Sequence, residues 1–428
     1  ATDRLAAPVY DDRLRVLAKL WTLQSHFSEV LGHTELADRL RRQSLSLLEE
    51  PELADQDTRA EKAHLFRLMG HRAIHTDPKK SRQLLEQSLA LYEDLGDPWE
   101  TANTLRALGR SAWLASDYAE MRQRFQQSLA IFRSLGDPDG ISSVIWWFSM
   151  IAFLQGEAEK AEQLARESLA IQTDRFSLAN GLKGLANTLV LSGKYTEAHS
   201  LYEEALAIFT DLGVRHQIDV IVPAYQSWAK MGLGLYEQAH AQAAEALEVA
   251  RQVRSWRDIG WTLLVLGSIA LVEGAYTEAQ CLLQESIAAY QETEKRDELA
   301  WALACAGYAA RGSGQPAQAR RHLCEALRIG VEIGAFMPLI TALPAVALLL
   351  ADAGGTARGE PERTVELYAL ASRHPYVARS RWVEDVAGRE IEALAATLPP
   401  EVVAAAQERG RARDLWATVE ELLAELGG

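Results

Sequence analysis

Two histidines one helical turn apart, His71 and His75, have the spacing of a metal site. Imidazoles at positions i and i+4 project from one face of a helix and can share a zinc ion. The glutamate of an H-E-x-x-H motif does not stand between them, and no third ligand follows nearby. A structural role for both histidines is therefore favoured, and no metal or other cofactor is expected.

Glycine-containing turns could instead hold a phosphate, but none has the required sequence context. A phosphate-binding loop needs G-x-x-x-x-G-K-[ST], whereas Gly193-Lys194 is followed by Tyr195 in a predicted turn between helices. Gly232-Leu-Gly234 and Gly312-Ser-Gly314 also lie in predicted turns between helices, with no strand before them. No Ser/His/Asp set can be argued without a strand scaffold, so binding rather than catalysis is expected.

The charge balance and the cysteine content narrow the class of protein further. The chain has 428 residues, and 59 Asp+Glu against 44 Lys+Arg give a net charge of −15, which disfavours a nucleic-acid partner. Cys281, Cys305 and Cys324 form no CxxC pair, so buried thiols and a reducing cytoplasm are expected. No signal peptide and no membrane-length apolar run is found. Because the chain begins at Ala1 without a methionine, either a processed product or a fragment of a longer protein is expected.

A repeat of about 40 residues organises the chain. A small residue followed by Leu or Ile recurs at Ser44, Ser88, Ser128, Ser168, Ala205, Ala246, Ser286 and Ala326. Two parallel series are Tyr118, Tyr195, Tyr236 and Tyr276, and the small residues Gly109, Gly267 and Gly307. Small side chains allow two antiparallel helices to approach closely. Each unit is therefore predicted to contain a first helix, a short turn, a second helix and a connector.

The ends of the helices can also be predicted. Gly96-Asp97-Pro98 provides a left-handed residue after one helix, then a cap and a proline for the next. The spacing predicts helices over about 99–115 and 118–134. Pro223 and Pro344 fall within predicted first helices, where each removes a backbone donor, so altered geometry is expected around 218–226.

These patterns resemble the tetratricopeptide repeat family. The matching residues are Leu-Gly in the first helix (Leu108-Gly109, Leu266-Gly267) and Tyr-x-x-Ala at the start of the second (Tyr195 to Ala198, Tyr236 to Ala239). The resemblance implies an all-α, right-handed α-solenoid of about eight or nine helix pairs, each longer than the family's usual ~34 residues. Residues 1–350 would form the superhelix, and residues 351–428 a degenerate final repeat and a helical cap.

The tail resembles a more specific class of protein. The segment from Glu408 to Glu421 is similar to the C-terminal ending of bacterial STAND signal-transduction ATPases. This resemblance implies that the chain is the sensor module of such a regulator, and that an N-terminal nucleotide-binding switch domain lies outside it. A stand-alone peptide receptor or an assembly scaffold is the alternative.

The repeat family also implies where a ligand would bind, because its first helices line a concave groove. Carried over repeat by repeat, the groove residues are Arg67, His71, Asn103, Arg106, Arg110, Trp113, Trp146, Met150, Phe153, Asn180, Lys183, Asn187, Tyr225, Trp228, Trp261, Trp301, Tyr308 and Arg311. The set contains cations and aromatic residues but no carboxylate, which favours a peptide, protein or small-molecule inducer as ligand.

Two details qualify this groove. Lys183 and Asn187 resemble a lysine and an asparagine with which some family members bind a peptide carboxylate, although Tyr225 occupies the place of the next asparagine. Trp146, Trp147 and Phe148 are consecutive and cannot all face one groove, so Trp147 is predicted to be in the core. The C-terminal cap favours a monomer.

Overall fold

The computed structural model describes residues 7–30, 34–74, 77–293, 295–354 and 360–427. Every regular element within these ranges is a helix, and no strand occurs among them. None of the helices in the described part of the chain is long and apolar enough to cross a membrane. The chain divides into two compact units with the bounds Ala1–Val144 and Ile145–Gly428.

The first unit is a stack of helix pairs. Its helices are α1 (Ala7–Val30), α2 (Thr34–Leu48), α3 (Arg59–Ala73), α4 (Pro78–Leu95), α5 (Pro98–Leu114), α6 (Tyr118–Leu135) and the start of α7 (Pro138–Leu154), with a 3-10 turn at Pro51–Leu53. Helices α1 and α2, α3 and α4, and α5 and α6 pack as pairs, and α3 also contacts both α1 and α5. Successive first helices are therefore neighbours.

The second unit continues the same arrangement. Its repeat helices are the remainder of α7, α8 (Ala158–Ile171), α9 (Arg175–Leu191), α10 (Tyr195–Leu212), α11 (Val222–Gly232), α12 (Tyr236–Gln252), α13 (Trp256–Val272), α14 (Tyr276–Thr293), α15 (Arg296–Gly312), α16 (Pro316–Ile333), α17 (Phe336–Gly354) and α18 (Glu360–Ala371). The first helices α9, α11, α13, α15 and α17 pack in succession. The predicted solenoid of helix pairs is confirmed within each unit.

The helix boundaries follow the predicted capping residues. Gly96 ends α4 with a left-handed φ of 64°, and the Asp97 side chain accepts a 3.0 Å hydrogen bond from the backbone N–H of Glu100. The predicted helices over 99–115 and 118–134 correspond to α5 and α6 within one residue at each end. Local chemistry thus sets the start and the end of each helix in this part of the chain.

The small residues that recur in the first helices have a direct packing reason. A Cβ atom at Gly109 would lie 2.7 Å from the ring of Phe125, and one at Gly307 would lie 2.5 Å from Leu323. Phe125 and Leu323 belong to the second helix of the same pair. The glycines therefore allow the two helices of a pair to approach closely, as the sequence predicted.

The recurring serines make a hydrogen bond that the sequence pattern did not reveal. Ser88, Ser128 and Ser286 each donate to a backbone carbonyl of the first helix in their own pair, at 2.7–2.8 Å. All three serines are completely buried. The small residue thus joins the two helices of a pair as well as fitting between them.

The backbone departs from regular α-helix before Pro223. Residues Gln217–Ile221 form a π-helix that leads directly into α11, with Pro223 in the first turn of that helix. The altered geometry predicted for 218–226 is confirmed, because proline cannot donate the hydrogen bond that a continuous α-helix needs there. Pro344 lies inside α17, which continues to Gly354.

The tail contains short helices and a two-helix end. Its elements are α19 (Pro375–Arg379), α20 (Arg381–Val383), a π-helix (Glu384–Gly388), α21 (Arg389–Ala395), α22 (Pro400–Ala412) and α23 (Leu415–Gly427). Helix α22 packs on α18, where Arg409 and Arg413 both pair with Glu366, and α23 packs on α16. Residues 355–359 of the Gly-rich insertion lie outside the described residues. A domain division at residue 350 stays a prediction.

Candidate functional site

Four cationic or ionisable side chains on α3 and α5 form the basic patch of the first unit. Arg67 and His71 lie one turn apart on α3, and Arg106 and Arg110 have the same spacing on α5. Because α3 packs on α5, the two pairs come together. The three arginines are half-buried and His71 is exposed. The sequence predicted all four as groove residues.

Two of these arginines have unusual partners. Arg67 pairs with Glu100 at 3.2 Å, but Arg106 donates to the neutral oxygens of Ser143 and Asn103, at 2.8 and 2.9 Å. Arg110 shares a 2.6 Å hydrogen bond with Nε2 of His71, which accepts when the imidazole is neutral. Among the described residues, no carboxylate lies within ion-pair distance of Arg106 or Arg110.

The electrostatic consequence is a shift of both guanidinium groups. Burial, and then the nearby Arg106, lowers the pKa of Arg110 to about 10. Burial, and then Arg67, also lowers the pKa of Arg106. A lowered pKa means that the protonated guanidinium group is less stable here than in water. An anion bound beside these arginines would reverse part of that cost.

The other predicted residues of α5 have supporting positions. Asn103 is buried, with its amide donating to the backbone carbonyl of Trp99 at 3.0 Å, so it orients Arg106 rather than facing an open surface. Trp113 is half-buried near the end of the helix. Trp99, which the groove prediction omitted, is 50% exposed and presents the larger apolar surface.

A second patch, the polar patch of the second unit, surrounds Lys183 on α9. Its ammonium group donates to Oδ1 of Asn180 at 3.1 Å and to Oε1 of Gln217 at 2.9 Å, and it lies 5.8 Å from the ring centroid of Phe209. Gln217 begins the π-helix before α11. Burial, and then the more distant Arg257, lowers the pKa of Lys183 to about 8.

Lys183 and Asn187 do not act together as the carboxylate-binding pair that they resemble in sequence. Asn187 is buried, and its Oδ1 accepts a hydrogen bond from the hydroxyl of Tyr202. Tyr225 accepts a 2.7 Å hydrogen bond from Arg257, which also pairs with Glu298. Lys183 therefore acts with Asn180 and Gln217 instead of with Asn187 and Tyr225.

Helix α7 contributes two half-buried residues to the second unit, Trp146 and Met150. Trp146 lies against Gly184 on α9, where a Cβ atom would overlap the indole nitrogen. Trp147 is buried, with 7% of its surface exposed, and the prediction that it lies in the core is confirmed. Phe153 is also buried.

The aromatic residues of α11, α13 and α15 form a closed cluster rather than an open surface. The ring centroids of Trp228, Trp261 and Trp301 are 5.1–5.4 Å apart in edge-to-face arrangements. Tyr376 from the tail packs on Trp228 at 5.9 Å, and Trp382 packs on Tyr308 at 6.0 Å. Edge-to-face pairs at these distances are the favoured geometry of buried aromatic rings.

The tail segment Pro375–Gly388, here termed the C-terminal insert, covers this cluster. Trp382 is only 1% exposed, and its indole N–H donates to the backbone carbonyl of Ser268 at 2.7 Å. The hydroxyl of Tyr195 donates to the carbonyl of Tyr376 at 3.1 Å. A cavity of only about 10 Å³ remains between the insert and α11, α13 and α15, which is too small for a ligand.

Four predicted groove residues must therefore be reassigned. The four are buried because the chain's own insert packs over their cluster, with exposed fractions of 2% for Trp228, 5% for Trp261, 8% for Trp301 and 5% for Tyr308. The sequence did not predict the insert, since Tyr376 and Trp382 carry no signal that identifies helices roughly 75 to 180 residues earlier as their partners. Arg311 pairs with Asp352 and Glu390.

Two further sequence-based expectations have mixed outcomes. Cys305 and Cys324 are buried as predicted, and burial raises the pKa of Cys305 to about 12. Cys281 was predicted to be buried, but it is exposed on α14. His75 lies outside the described residues, so the metal-like pair with His71 is not described.

Comparisons with known proteins agree with the repeat pattern. Residues 76–134 and 142–211 match the model of the tetratricopeptide repeat. None of the curated proteins compared with the chain matches its sequence.

Solved structures provide the fold comparison. A Rap protein complexed with Competence and Sporulation Factor has a TM-score of 0.61 and 16% identity, covering 86% of this chain and 99% of that one. NprR in complex with its cognate peptide NprX has a TM-score of 0.50 and 12% identity, with 78% and 98% covered.

A third structure has similar values. The Rap conjugation gene regulator of the plasmid pLS20, in complex with the Phr* peptide, has a TM-score of 0.50 and 12% identity, with 91% and 98% covered. At these identities the likeness concerns the fold alone. The chain thus contains tetratricopeptide repeats over residues 76–134 and 142–211 and has the fold of helical-repeat proteins.

Proposed function

We propose that this chain is a receptor for a peptide or an extended protein segment, which binds through the first helices of its repeats. Three observations support the proposal. The matched repeats include α5, which carries part of the basic patch of the first unit, and α9, which carries the polar patch of the second unit. Similar solved structures include complexes with the peptides NprX and Phr*. Exposed aromatic residues accompany both patches, and aromatic residues and arginine are enriched in binding surfaces.

The observation that carries the proposal is the state of the cations on α5 and α9. Arg106, Arg110 and Lys183 have neutral partners and lowered pKa values in a protein with excess carboxylates. Cations kept without a charged partner carry an energetic cost that structural stability does not explain. A ligand that bears complementary groups explains it.

The C-terminal insert restricts where the ligand would bind. Trp228 and Trp301 on α11 and α15 are covered by the chain itself. The proposed sites are therefore the basic patch on α3 and α5 in the first unit, and the surroundings of Lys183 on α9 in the second. Two further predicted residues, Trp146 and Met150, are half-buried on α7.

A second reading, a sensor module of a STAND-type ATPase, is supported by the similarity of the tail segment Glu408–Glu421. Within that segment Arg409 and Arg413 hold α22 on α18 through Glu366, which is a sufficient structural reason for their presence. The peptide complexes among the similar structures favour the stand-alone receptor. A phosphate-binding loop encoded upstream of Ala1 would favour the sensor module.

Selection of peptides on the immobilised full chain tests the proposed function. A displayed library of random dodecapeptides would be selected on the wild-type chain, and the enriched peptides would be synthesised and titrated by fluorescence anisotropy. We expect saturable binding that weakens in the R110Q variant and in the W146A variant. A library that yields no binder, or binders unaffected by both variants, would contradict binding through these helices.

A further inference from the structure

The surroundings of Arg106 and Lys183 are built alike, although they lie in different units. Each cation follows an asparagine by three residues and an aromatic residue by seven, so all three side chains share one face of a first helix. A phenylalanine of the second helix completes each group. The two cation sets are Trp99, Asn103, Arg106 and Phe132, and Phe176, Asn180, Lys183 and Phe209. Each member of one set lies 77 residues before its counterpart.

The hydrogen bonds within the two sets are also the same. The amide of each asparagine donates to the backbone carbonyl of the aromatic residue four positions earlier, at 3.0 Å for Asn103 and 3.1 Å for Asn180. The carbonyl oxygen of each asparagine accepts from the cation, at 2.9 Å from Arg106 and 3.1 Å from Lys183. Asparagine therefore fixes the position of the charge in both sets.

The rings that complete the sets lie at similar distances from the charge. The guanidinium carbon of Arg106 is 6.0 Å from the ring centroid of Phe132, and Nζ of Lys183 is 5.8 Å from that of Phe209. A ring at this distance stabilises a cation weakly and provides no negative charge. The hydrogen-bond partners of each cation are thus neutral. Carboxylates act on the two cations only from beyond ion-pair distance: Asp137, which accepts from the Trp99 indole at 2.9 Å, on Arg106, and Asp258 on Lys183.

Two cations on second helices, Arg82 and Arg166, are bound differently. Arg82 on α4 pairs with Glu120 at 2.5 Å, and Arg166 on α8 pairs with Glu162 and Glu197 at 2.9 and 2.6 Å. With 59 acidic residues present, carboxylate partners are abundant. Among the described residues, neither Arg106 nor Lys183 has one within ion-pair distance. The two positions therefore retain the capacity to bind an external negative group.

We infer that Arg106 and Lys183 form two copies of one oxyanion-binding subsite, one in each unit, and that each copy takes one carboxylate or phosphate group. The inference rests on the proposed function and specifies the chemistry of its ligand. Trp99 and Phe176, 50% and 48% exposed, lie about two turns before the cations. They would contact apolar groups next to the anion, so each subsite fits an acidic group with an apolar neighbour.

Titration of the full chain with simple probes tests the inference. Acetyl-pentaglutamate amide carries side-chain carboxylates only, acetyl-pentaalanine acid carries one terminal carboxylate, and acetyl-pentaalanine amide carries none. Inorganic phosphate is the fourth probe. Binding would be measured at low salt by ligand-observed NMR, because screening weakens contacts between exposed charges. We expect the wild-type chain to bind the anionic probes at millimolar concentrations and not the uncharged one.

Charge-matched variants separate a site from a general field effect. The double variant R106Q/K183Q should bind the anionic probes about tenfold more weakly, a loss of about 1.4 kcal/mol. R82Q/R166Q removes the same charge from one second helix in each unit and should bind like the wild type. R106K/K183R keeps both charges and should retain most of the affinity. Circular dichroism and thermal unfolding would verify that each variant is folded.

The probes also distinguish the source of the oxyanion. Preference for pentaglutamate amide indicates acidic side chains, preference for pentaalanine acid indicates a chain terminus, and preference for phosphate indicates a phosphorylated ligand. Equal losses in R106Q/K183Q and R82Q/R166Q, or no binding of any anionic probe to the wild type, would overturn the inference. Library peptides that bind as well to R106Q/K183Q as to the wild type would overturn it too, while leaving the receptor function intact.

Discussion

The indole nitrogen of Trp382 donates a hydrogen bond of 2.7 Å to the backbone carbonyl of Ser268, which lies 114 positions earlier in the chain. Both residues are buried, and the indole also packs edge-to-face on Tyr308. The contact joins the C-terminal insert to the first helix of a repeat. It therefore turns a surface that repeats of this type would leave open into part of the core.

Replacement of Trp382 should destabilise the second unit. W382F keeps an aromatic ring but leaves the Ser268 carbonyl without its partner, at a cost of about 1–2 kcal/mol. W382A also leaves a cavity and should cost about 3–5 kcal/mol. Urea unfolding followed by circular dichroism measures both. Trp256, 52% exposed, is the control, and W256F should change stability little. Equal effects at the two positions would contradict the assignment of Trp382 to the core.

The buried serines should contribute separately in their own repeats. S88A and S286A each remove one hydrogen bond to a first-helix carbonyl, and each should lower the free energy of unfolding by about 0.5–1.5 kcal/mol. Their effects should add, because the two residues lie in different units and share no partner. S134A, at an exposed serine, serves as the control. If S88A and S286A left the free energy of unfolding unchanged, these serines would matter only for their small size.

A methyl group at Gly184 should displace Trp146. The Cβ atom of G184A would overlap the indole, and overpacking of this kind costs about 1–3 kcal/mol. A lowered thermal midpoint and a shifted tryptophan emission are expected. The double variant W146A/G184A removes the overlap, so in it the alanine at 184 should cost less than in the wild-type background. An unchanged cost in both backgrounds would show that the two residues do not touch.

Lys183 should give the second unit a specific dependence on pH. Burial, and then Arg257, lowers its pKa to about 8 in the folded chain, against about 10.4 in an unfolded one. Between these values the unfolded chain binds more protons, so the contribution of Lys183 to stability rises with pH. The K183M variant lacks this rise.

Comparison of K183M with the wild type between pH 7 and pH 10 isolates the effect. The stability of K183M relative to the wild type should be highest near pH 7 and fall as the pH approaches 10. K160M, which removes an exposed lysine that pairs with Glu157, is the charge-matched control. A stability difference between K183M and the wild type that does not change with pH would contradict the lowered pKa of Lys183.

The sequence predicted local structure well because local chemistry determines it. Gly96, Asp97 and Pro98 set a helix boundary by capping and by backbone conformation, and both operate within four residues. The tight approach at Gly109 follows from a pattern that repeats along the chain. Pro223 likewise predicted a change of backbone conformation, which the structure shows as the π-helix Gln217–Ile221.

The site was only partly predictable, because its limits depend on distant parts of the chain. Arg106 and Lys183 could be selected by position within a repeat, but their lack of a carboxylate partner depends on the neighbouring helices. Trp301 has the same kind of position and is covered by Tyr376. No local pattern distinguishes a first-helix aromatic residue that meets the tail from one that remains exposed.

The hydrogen bond between Tyr195 and the carbonyl of Tyr376 spans 181 positions, and this separation has a consequence for how the protein folds. Arrays of helical repeats can form by stepwise addition of neighbours, since each repeat contacts only the next. The C-terminal insert adds contacts of high sequence separation, which slow folding. During synthesis, helices α9 to α15 emerge long before the insert. Trp228 and Trp301 therefore stay uncovered until the insert has been synthesised. Completion of this core is therefore a late event, and the interval before it is when the nascent chain is most exposed to aggregation.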